Sequence, residues 1–421
     1  MTNSDEQTLL SARKALRPIA VRASIGAMML SSTASIALTV VLGLQVYDIT
    51  RSKLDLGWLG LAEFLPTAFL VLVSGAIADR LDRRHIVVAS GLLEMIVVGG
   101  FLIYSRGSSL SVTPIYVGVV FFGVARAFAA PSMRSLIPAS AANEHAIPRV
   151  VGLSSAGWQI GAITGPLVGA FAYKASPTLA YSIALALFFL SSILVLKIPR
   201  TVGRQHLGTE RQDKPSLRHA LEGLAIIRRS PILLGAISLD LFAVLLGGAV
   251  ALLPAIADER HWDKGSVGIL RAVGGIGGAA VTFVLAARPL SRNVGRSLLT
   301  AVGVFGAATV VFGATHSLIV AAIAIFVLNA GDSVSVFVRS TLVPIVTPPG
   351  QQGRVLAVES VFVGASNELG AFESGVAARL IGTTPAVISG GIATLVVVAG
   401  WWFLFPALRK VNRFTEVLRR D

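Results

Sequence analysis

Long apolar runs separated by short polar turns make up most of the sequence. Each run is close to the length of about 20 residues that an α-helix needs to cross the hydrocarbon core of a bilayer. Reading the chain in windows of about 19 residues gives candidate spans along its whole length. The twelve spans lie near 24–47, 57–78, 86–104, 113–130, 150–172, 177–196, 231–253, 267–287, 298–315, 318–338, 355–381 and 385–405. The pattern therefore predicts an all-α membrane protein with twelve transmembrane helices.

The composition agrees with this fold class and narrows the chemistry. Of 421 residues, 54% are apolar and 14% are charged, whereas a soluble domain has about 25% charged residues. The absence of cysteine excludes disulfides, thiolate catalysis and cysteine metal sites. The histidines lack ligand spacing, and no Walker lysine follows the glycine-rich run 274–278. We therefore expect no metal, no cofactor and no enzyme activity.

The net charge of +14 is distributed as expected for a membrane protein. If the N-terminus is cytoplasmic, only six of the 36 lysines and arginines fall in external segments, and three lie inside spans. This positive-inside bias places both termini in the cytoplasm. We expect a multi-pass protein of the bacterial cytoplasmic membrane. The basic charge reflects topology, so no nucleic-acid partner is expected.

The most concentrated charge lies in the turn between the second and third predicted spans. Its glycine and charged residues are Gly75, Asp79, Arg80, Asp82, Arg83 and Arg84. These charges cannot enter lipid cheaply, which fixes the turn outside the hydrocarbon. The pattern G-x-x-x-D-R-x-x-R-R between two spans resembles the loop between helices 2 and 3 of the major facilitator superfamily, although Asp82 stands where that family usually has glycine.

The resemblance implies two pseudo-symmetric six-helix bundles that rock about a central site. It also implies that Asp79 sits against the start of helix 11, near Val355, in one conformation. The turn, with Gly75, Asp79, Arg80, Arg83 and Arg84, would then be a conformational latch. The alternative is that its arginines only enforce topology, and both roles are compatible.

An internal repeat supports the division into two halves. Arg134 and Arg149 are fifteen residues apart, as are Arg339 and Arg354, and an offset of 205 relates the two pairs. The same offset relates Gly165 to Gly370. We predict an N-terminal bundle at 1–196, a cytoplasmic linker at 197–230, and a C-terminal bundle with a basic tail at 231–421. In the linker, apolar residues recur at helical spacing, which fits either an amphipathic helix on the membrane surface or a plain tether.

A glycine-proline motif occupies the fifth predicted span. Its residues are Gly152, Gly161, Gly165, Pro166 and Gly169. Small residues four apart on one helix face allow close helix packing, and that role alone explains them. The pattern G-x8-G-x3-G-P-x2-G also resembles the motif of proton-coupled exporters of the same superfamily, with Ala170 in place of its last glycine. That resemblance implies efflux rather than uptake.

Local sequences narrow the resemblance to a branch. The stretches 44–48, 126–128 and 365–370 are similar to those of drug:proton antiporters that include enterobactin exporters. The resemblance implies export of a small amphipathic compound, drug or siderophore-like, in exchange for protons. We expect the protein to be a monomer. A non-transporting membrane sensor or a membrane-embedded enzyme is the alternative from another class.

Ionisable residues inside spans are the candidates for proton coupling, because a charge in the bilayer interior is costly. Arg126 matches a helix-4 arginine that the family associates with proton coupling, and Glu94 lies near enough in depth to pair with it. Asp332 and Asp240 fall in helices that line the central cavity in the family. We expect Asp332 to be the first candidate for the proton carrier and Asp240 the second.

Four further polar residues are candidates for the substrate pathway. Glu63 lies in the second span near its outer end, where interfacial placement is an equal alternative. In the eleventh span, Glu359 and Glu373 lie within about 40° of one another on the helix, with Asn367 at about 80°. Asn367 has a structural hydrogen-bonding role as its alternative.

Overall fold

The computed structural model describes residues 19–78, 81–107, 111–141, 144–199, 202 and 217–417, and the described chain is helical. Short connections join successive helices, as the sequence pattern predicts. The helices are α1 (Ile19–Thr50), α2 (Lys53–Ala78), α3 (Arg83–Tyr104), α4 (Thr113–Ala139), α5 (Ile147–Ala175), α6 (Pro177–Leu196), α7 (Leu217–Arg229), α8 (Pro231–Leu246), α9 (Leu253–Glu259), α10 (Gly265–Ala287), α11 (Val294–Ala314), α12 (Leu318–Val346), α13 (Gln352–Ile381), α14 (Thr383–Leu404), α15 (Pro406–Arg409) and α16 (Phe414–Val417).

Ten helical segments of the described chain are long and apolar enough to cross a membrane. One of them, Pro231–Glu259, combines α8 and α9 through a short 3-10 turn at Ala249–Leu252. The predicted spans 57–78 and 150–172 fall on α2 and α5, which are long helices but are not among these ten. The all-helical membrane fold is confirmed, and the count of twelve crossings stays a prediction.

Several helices continue beyond the predicted ends of their spans. α4 extends to Ala139 and α12 to Val346, whereas hydropathy ended the corresponding spans at 130 and 338. A charged residue lowers the hydropathy of a window, but it does not interrupt the backbone hydrogen bonds of a helix. Arg339 therefore lies within α12 rather than in a loop.

The chain forms two compact units. Unit 1 consists of the described parts of Met1–Gln45 and Leu65–Lys214, and unit 2 of Val46–Phe64 with the described parts of Pro215–Asp421. The end of α1 and the beginning of α2 thus belong to unit 2, although most of both helices belongs to unit 1. In unit 1, α3 packs against α4 and α6. In unit 2, α12 packs against α10 and α11, α11 against α14, and α8 against α13.

Candidate functional site

The charged turn is anchored within unit 1 by Asp82 and Arg84. Asp82 is buried and forms the N-cap of α3, where its carboxylate accepts a hydrogen bond from the Arg84 backbone N–H at 3.0 Å. The Arg84 guanidinium donates to the carbonyl oxygens of Val195, at 3.3 Å, and Leu196, at the end of α6. An arginine at a helix C-terminus satisfies free carbonyls and complements the helix dipole.

These contacts give a physical reason for the unusual Asp82. Where the family usually has glycine, this chain has a residue type that is strongly preferred at helix N-termini. Gly75 lies in α2, and Arg83 is half-buried at the start of α3. Asp79 and Arg80 lie outside the described residues, so the latch stays a prediction.

The glycines of the α5 motif lie at a close helix contact with α1. A side chain at Gly165 would put its Cβ 2.9 Å from the Thr33 carbonyl oxygen and 3.0 Å from Ile36 Cβ. Gly161 and Gly169 face α1 in the same way. Gly152 differs, because a Cβ there would meet nothing within 4 Å.

Replacing Gly165 with alanine is expected to destabilise the protein by about 1–3 kcal/mol, because overpacking a tight contact forces the backbones apart. Gly152→Ala is the matched control. It is expected to be neutral or slightly stabilising, since alanine favours helix over glycine and has room there. Thermal unfolding of both purified variants in detergent tests the difference. Equal stability of the two variants would contradict close packing as the role of Gly165.

A cavity of about 190 Å³ lies within unit 1. Glu94 of α3 and Arg126 of α4 both line it, and the Arg126 charge acts on Glu94. Glu94 is buried, whereas Arg126 is exposed with its guanidinium 5.9 Å from the centre of the Phe122 ring. The structure thus brings together two of the four residues that we predict to take part in proton coupling.

A second cavity, of about 310 Å³, lies within unit 2. It is lined by the other two predicted proton-coupling residues, Asp240 and Asp332. Asp332 of α12 is half-buried and has no hydrogen-bond or ion-pair partner in the part of the chain that the structure describes. α8 ends at this cavity, and Gly247 and Gly248 line it where the helix is interrupted. Irregular backbone at membrane depth is tolerated where it lines a cavity, and interrupted helices are common at transporter binding sites.

Arg339 lies between two carboxylates in the interior of unit 2. Its guanidinium forms ion pairs with Asp240 of α8 and with Glu359 of α13, the latter at 3.0 Å, and all three side chains are buried. Hydropathy ended the corresponding predicted span at 338, so the burial of Arg339 within α12 was not predicted. Its buried charge requires compensation, which the two carboxylates provide.

The pathway candidates of α13 do not form one cavity face. Asn367 lines the unit 2 cavity, and Glu359 is engaged with Arg339. Glu373 is half-buried and is not among the described residues that line the cavity. Glu63 lies on the part of α2 that belongs to unit 2 and is also half-buried.

The sequence predicted no role for Arg271 of α10. Its guanidinium donates a hydrogen bond to the Val250 carbonyl oxygen at 3.4 Å and interacts with the charge of Glu368.

The linker segment contains the helix α7, which packs against the beginning of α13. Ile227 is buried in an apolar cluster that includes Val355 and Val358. Glu222 forms an ion pair with Arg354 at 2.8 Å. This face of α7 therefore contacts protein, while Leu221 stays 59% exposed.

A group of ion pairs attaches the Val46–Phe64 segment to the rest of unit 2. Arg51 pairs with Asp258 at 2.8 Å. Lys53 pairs with Glu259, and Asp48 pairs with Lys264. Beneath these pairs, Leu56 is buried in an apolar cluster with Tyr47 and Ala255. Separating the segment from unit 2 would break these pairs and expose Leu56.

Reversing one of these charges is expected to loosen the segment. Because the chain has no cysteine, Leu56→Cys provides a single reporter thiol. Adding Lys264→Glu places like charges together, and the labelling rate of the thiol by a maleimide should rise several-fold. Adding Asp48→Lys as well should restore the slow rate. Unchanged labelling in the Lys264→Glu background would show that this pair does not hold the segment.

A helical membrane fold with charged side chains lining cavities inside its helix units is typical of a membrane transporter. The chain belongs to the Major Facilitator Superfamily, whose sequence model matches residues 23–358. It is 24% identical to the uncharacterized MFS-type transporter YfiS of Bacillus subtilis (strain 168), over 85% of this chain and 86% of that protein. It is 25% identical to macrolide efflux protein A of Streptococcus pyogenes, over 48% of this chain and 47% of that protein.

Solved structures show the same fold. A bacterial homologue of the human lysosomal transporter Spinster superposes with a TM-score of 0.69 at 15% identity, over 95% of this chain and 97% of that one. The match of the family model to residues 23–358 confirms the resemblance to the superfamily, so the protein is a transporter of small molecules in a lipid bilayer rather than an enzyme. The drug:proton antiporter branch and the likeness to enterobactin exporters stay predictions.

Proposed function

We propose that this protein exports a small amphipathic compound across the bacterial cytoplasmic membrane in exchange for protons. The observation that carries this proposal is Asp332, a carboxylate that faces the unit 2 cavity without an ion-pair partner among the described residues. An isolated carboxylate in a low-dielectric site is costly to ionise, so its occupancy by a proton can be coupled to the state of the cavity. Asp240 is a weaker candidate, because Arg339 already neutralises it.

The direction of transport is supported by two sequence similarities. The α5 glycine motif resembles that of exporters, and the chain is similar over about half its length to macrolide efflux protein A. Drug efflux and siderophore secretion are both compatible with export of an amphipathic compound.

We infer that transport occurs by alternating access in a monomer with twelve crossings and cytoplasmic termini. In this mechanism the charged turn at Gly75–Arg84 is a latch on the cytoplasmic side. The ion pairs of the Val46–Phe64 segment are a corresponding latch on the external side. They join this part of α1 and α2 to the rest of unit 2. In unit 1, Glu94 is a further candidate for proton coupling, and the positive charge of Arg126, which lines the same cavity, acts on it.

Flux measurements in proteoliposomes test the proposal. A pH gradient is imposed, and a panel of cationic dyes, a macrolide and a catecholate siderophore is screened for gradient-driven movement. We expect at least one compound to move against its concentration gradient and to dissipate the pH gradient as it does so. A stable pH gradient with no flux of any compound would contradict proton-coupled export.

A further inference from the structure

We propose that the unit 2 cavity binds the protonated amine of an organic cation, with Asp332 as its counter-charge and hydrogen-bond acceptor. The inference rests on the proposed export function and specifies the chemistry of the exported substrate. It distinguishes between the two substrate classes considered above, because siderophores of the catecholate type are acidic whereas many drugs are amines.

The polar side chains that line the cavity are the carboxylates of Asp240 and Asp332, the guanidinium of Arg339 and the amides of Asn329 and Asn367. The Asn329 side-chain N–H donates to the Ile325 carbonyl at 3.0 Å, and that of Asn367 donates to Val363 O at 2.9 Å. In each case one N–H of the amide is bonded to its own helix, which leaves the side-chain oxygen as an acceptor and the second N–H as a donor. Together with the Asp332 carboxylate, these oxygens match a ligand that brings N–H donors.

Ser335 provides a separate indication that a ligand with hydrogen-bonding groups binds here. Its side chain is only 2% exposed, and its hydroxyl has no hydrogen-bond partner in the described chain. It lines a small extension of the cavity together with Asp240 and Asp332. Buried hydroxyls are normally paired, so an N–H group entering beside Asp332 would satisfy this oxygen.

The charge balance of the site favours a cation. Arg339 lines the cavity and forms ion pairs with Asp240 and Glu359, so its single positive charge is exceeded by their two negative charges. Asp332 adds a further negative charge when it is ionised. α8 also ends here, where Val244 lines the cavity, and the C-terminal end of a helix carries partial negative charge. An anionic group would meet repulsion from each of these features.

The volume of about 310 Å³ is at the lower end of the range of ligand sites, which accommodates an amine head group and a short apolar chain. Apolar side chains of Phe305, Leu328 and Val336 line the same cavity and would contact that chain. The site therefore fits an amphipathic amine better than a small inorganic cation.

Three probes that share one fluorophore test the inference on the intact purified protein in detergent. Dansylcadaverine carries a protonated amine, N-acetyl-dansylcadaverine is its neutral analogue, and dansyl-6-aminohexanoate carries a carboxylate on a chain of equal length. Binding is measured by the rise in dansyl fluorescence. We expect dansylcadaverine to bind at least tenfold more tightly than the neutral probe, and the anionic probe not to bind. Equal affinities, or tightest binding of the anionic probe, would overturn the inference.

Variants locate the binding to the cavity. Asp332→Asn should weaken dansylcadaverine binding at least tenfold, Asp332→Glu should keep the affinity within about threefold, and Ser335→Ala should weaken it several-fold. Glu222→Gln, which removes a carboxylate of α7 far along the chain from this cavity, is the control and should bind as the wild type does. An unchanged affinity in Asp332→Asn would overturn the assignment, even if the amine binds the protein elsewhere.

Binding without a pH gradient separates this inference from the proposed function. If amines bind at Asp332 but the gradient drives no flux of any compound, the proposal of proton-coupled export is contradicted, whereas the proposed amine site is supported. If the gradient drives flux of neutral or anionic compounds while amines do not bind, the proposal of export is supported, whereas the proposed binding of amines is contradicted.

Discussion

Asp332→Asn is expected to reduce export driven by a pH gradient to the level of protein-free liposomes. The amide has nearly the shape of the carboxyl group, but it cannot take up and release a proton at physiological pH. Asp332 has no ion-pair partner among the described residues, so its substitution leaves no opposite charge uncompensated. We therefore expect the variant to insert, fold and melt like the wild type. Flux is measured in proteoliposomes with the compound that gives the largest signal in the panel.

Asp240→Asn is the informative comparison, because it removes a carboxylate that is already paired. Its main effect should be on stability, since it weakens the compensation of the buried Arg339. Undiminished gradient-driven export by Asp332→Asn would exclude this residue from the coupling mechanism. We expect Asp332→Asn to lose export but keep its stability, and Asp240→Asn to lose stability. That result would assign proton coupling to Asp332 and a structural role to Asp240.

The membrane fold was predictable from the sequence because the bilayer itself sets the length of each apolar run. The ends of α4 and α12 were not predictable in the same way. Hydropathy treats Arg134 and Arg339 alike, as charges that end a span. In the folded protein Arg134 is exposed, whereas Arg339 is buried against two carboxylates. The repeat that relates these arginines in sequence therefore does not extend to their environments.

The candidate site was predictable residue by residue but not as an arrangement. Asp332, Asp240 and Asn367 stand out because polar residues are rare in apolar runs. Which carboxylate is free and which is paired depends on the packing of α8, α12 and α13, and no local pattern encodes it. The interruption at Gly247 and Gly248 was also missed, since hydropathy runs through it without a break. The N-cap role of Asp82 had a local signal, because an acid directly before a helix is typical of a cap.

Arg339→Met is expected to cause the largest loss of stability, about 3–5 kcal/mol, because it leaves Asp240 and Glu359 buried without their shared counter-charge. Methionine fills much of the space of the arginine chain, so the effect should come from charge rather than from a cavity. The unfolding temperature of the purified variant in detergent measures the loss. A melting temperature near that of the wild type would show that the pairs contribute little.

A triple variant separates charge from packing. Asp240→Asn and Glu359→Gln added to Arg339→Met remove all three charges, and replacing a whole buried ion group by neutral residues is often close to neutral in stability. We expect the triple variant to recover most of the lost stability. If it then still exports in response to a pH gradient, the Arg339 group stabilises unit 2 and is not needed for proton coupling. If it is stable but no longer exports, the ion pairs themselves take part in transport, because a loss of stability could not then explain the loss of export.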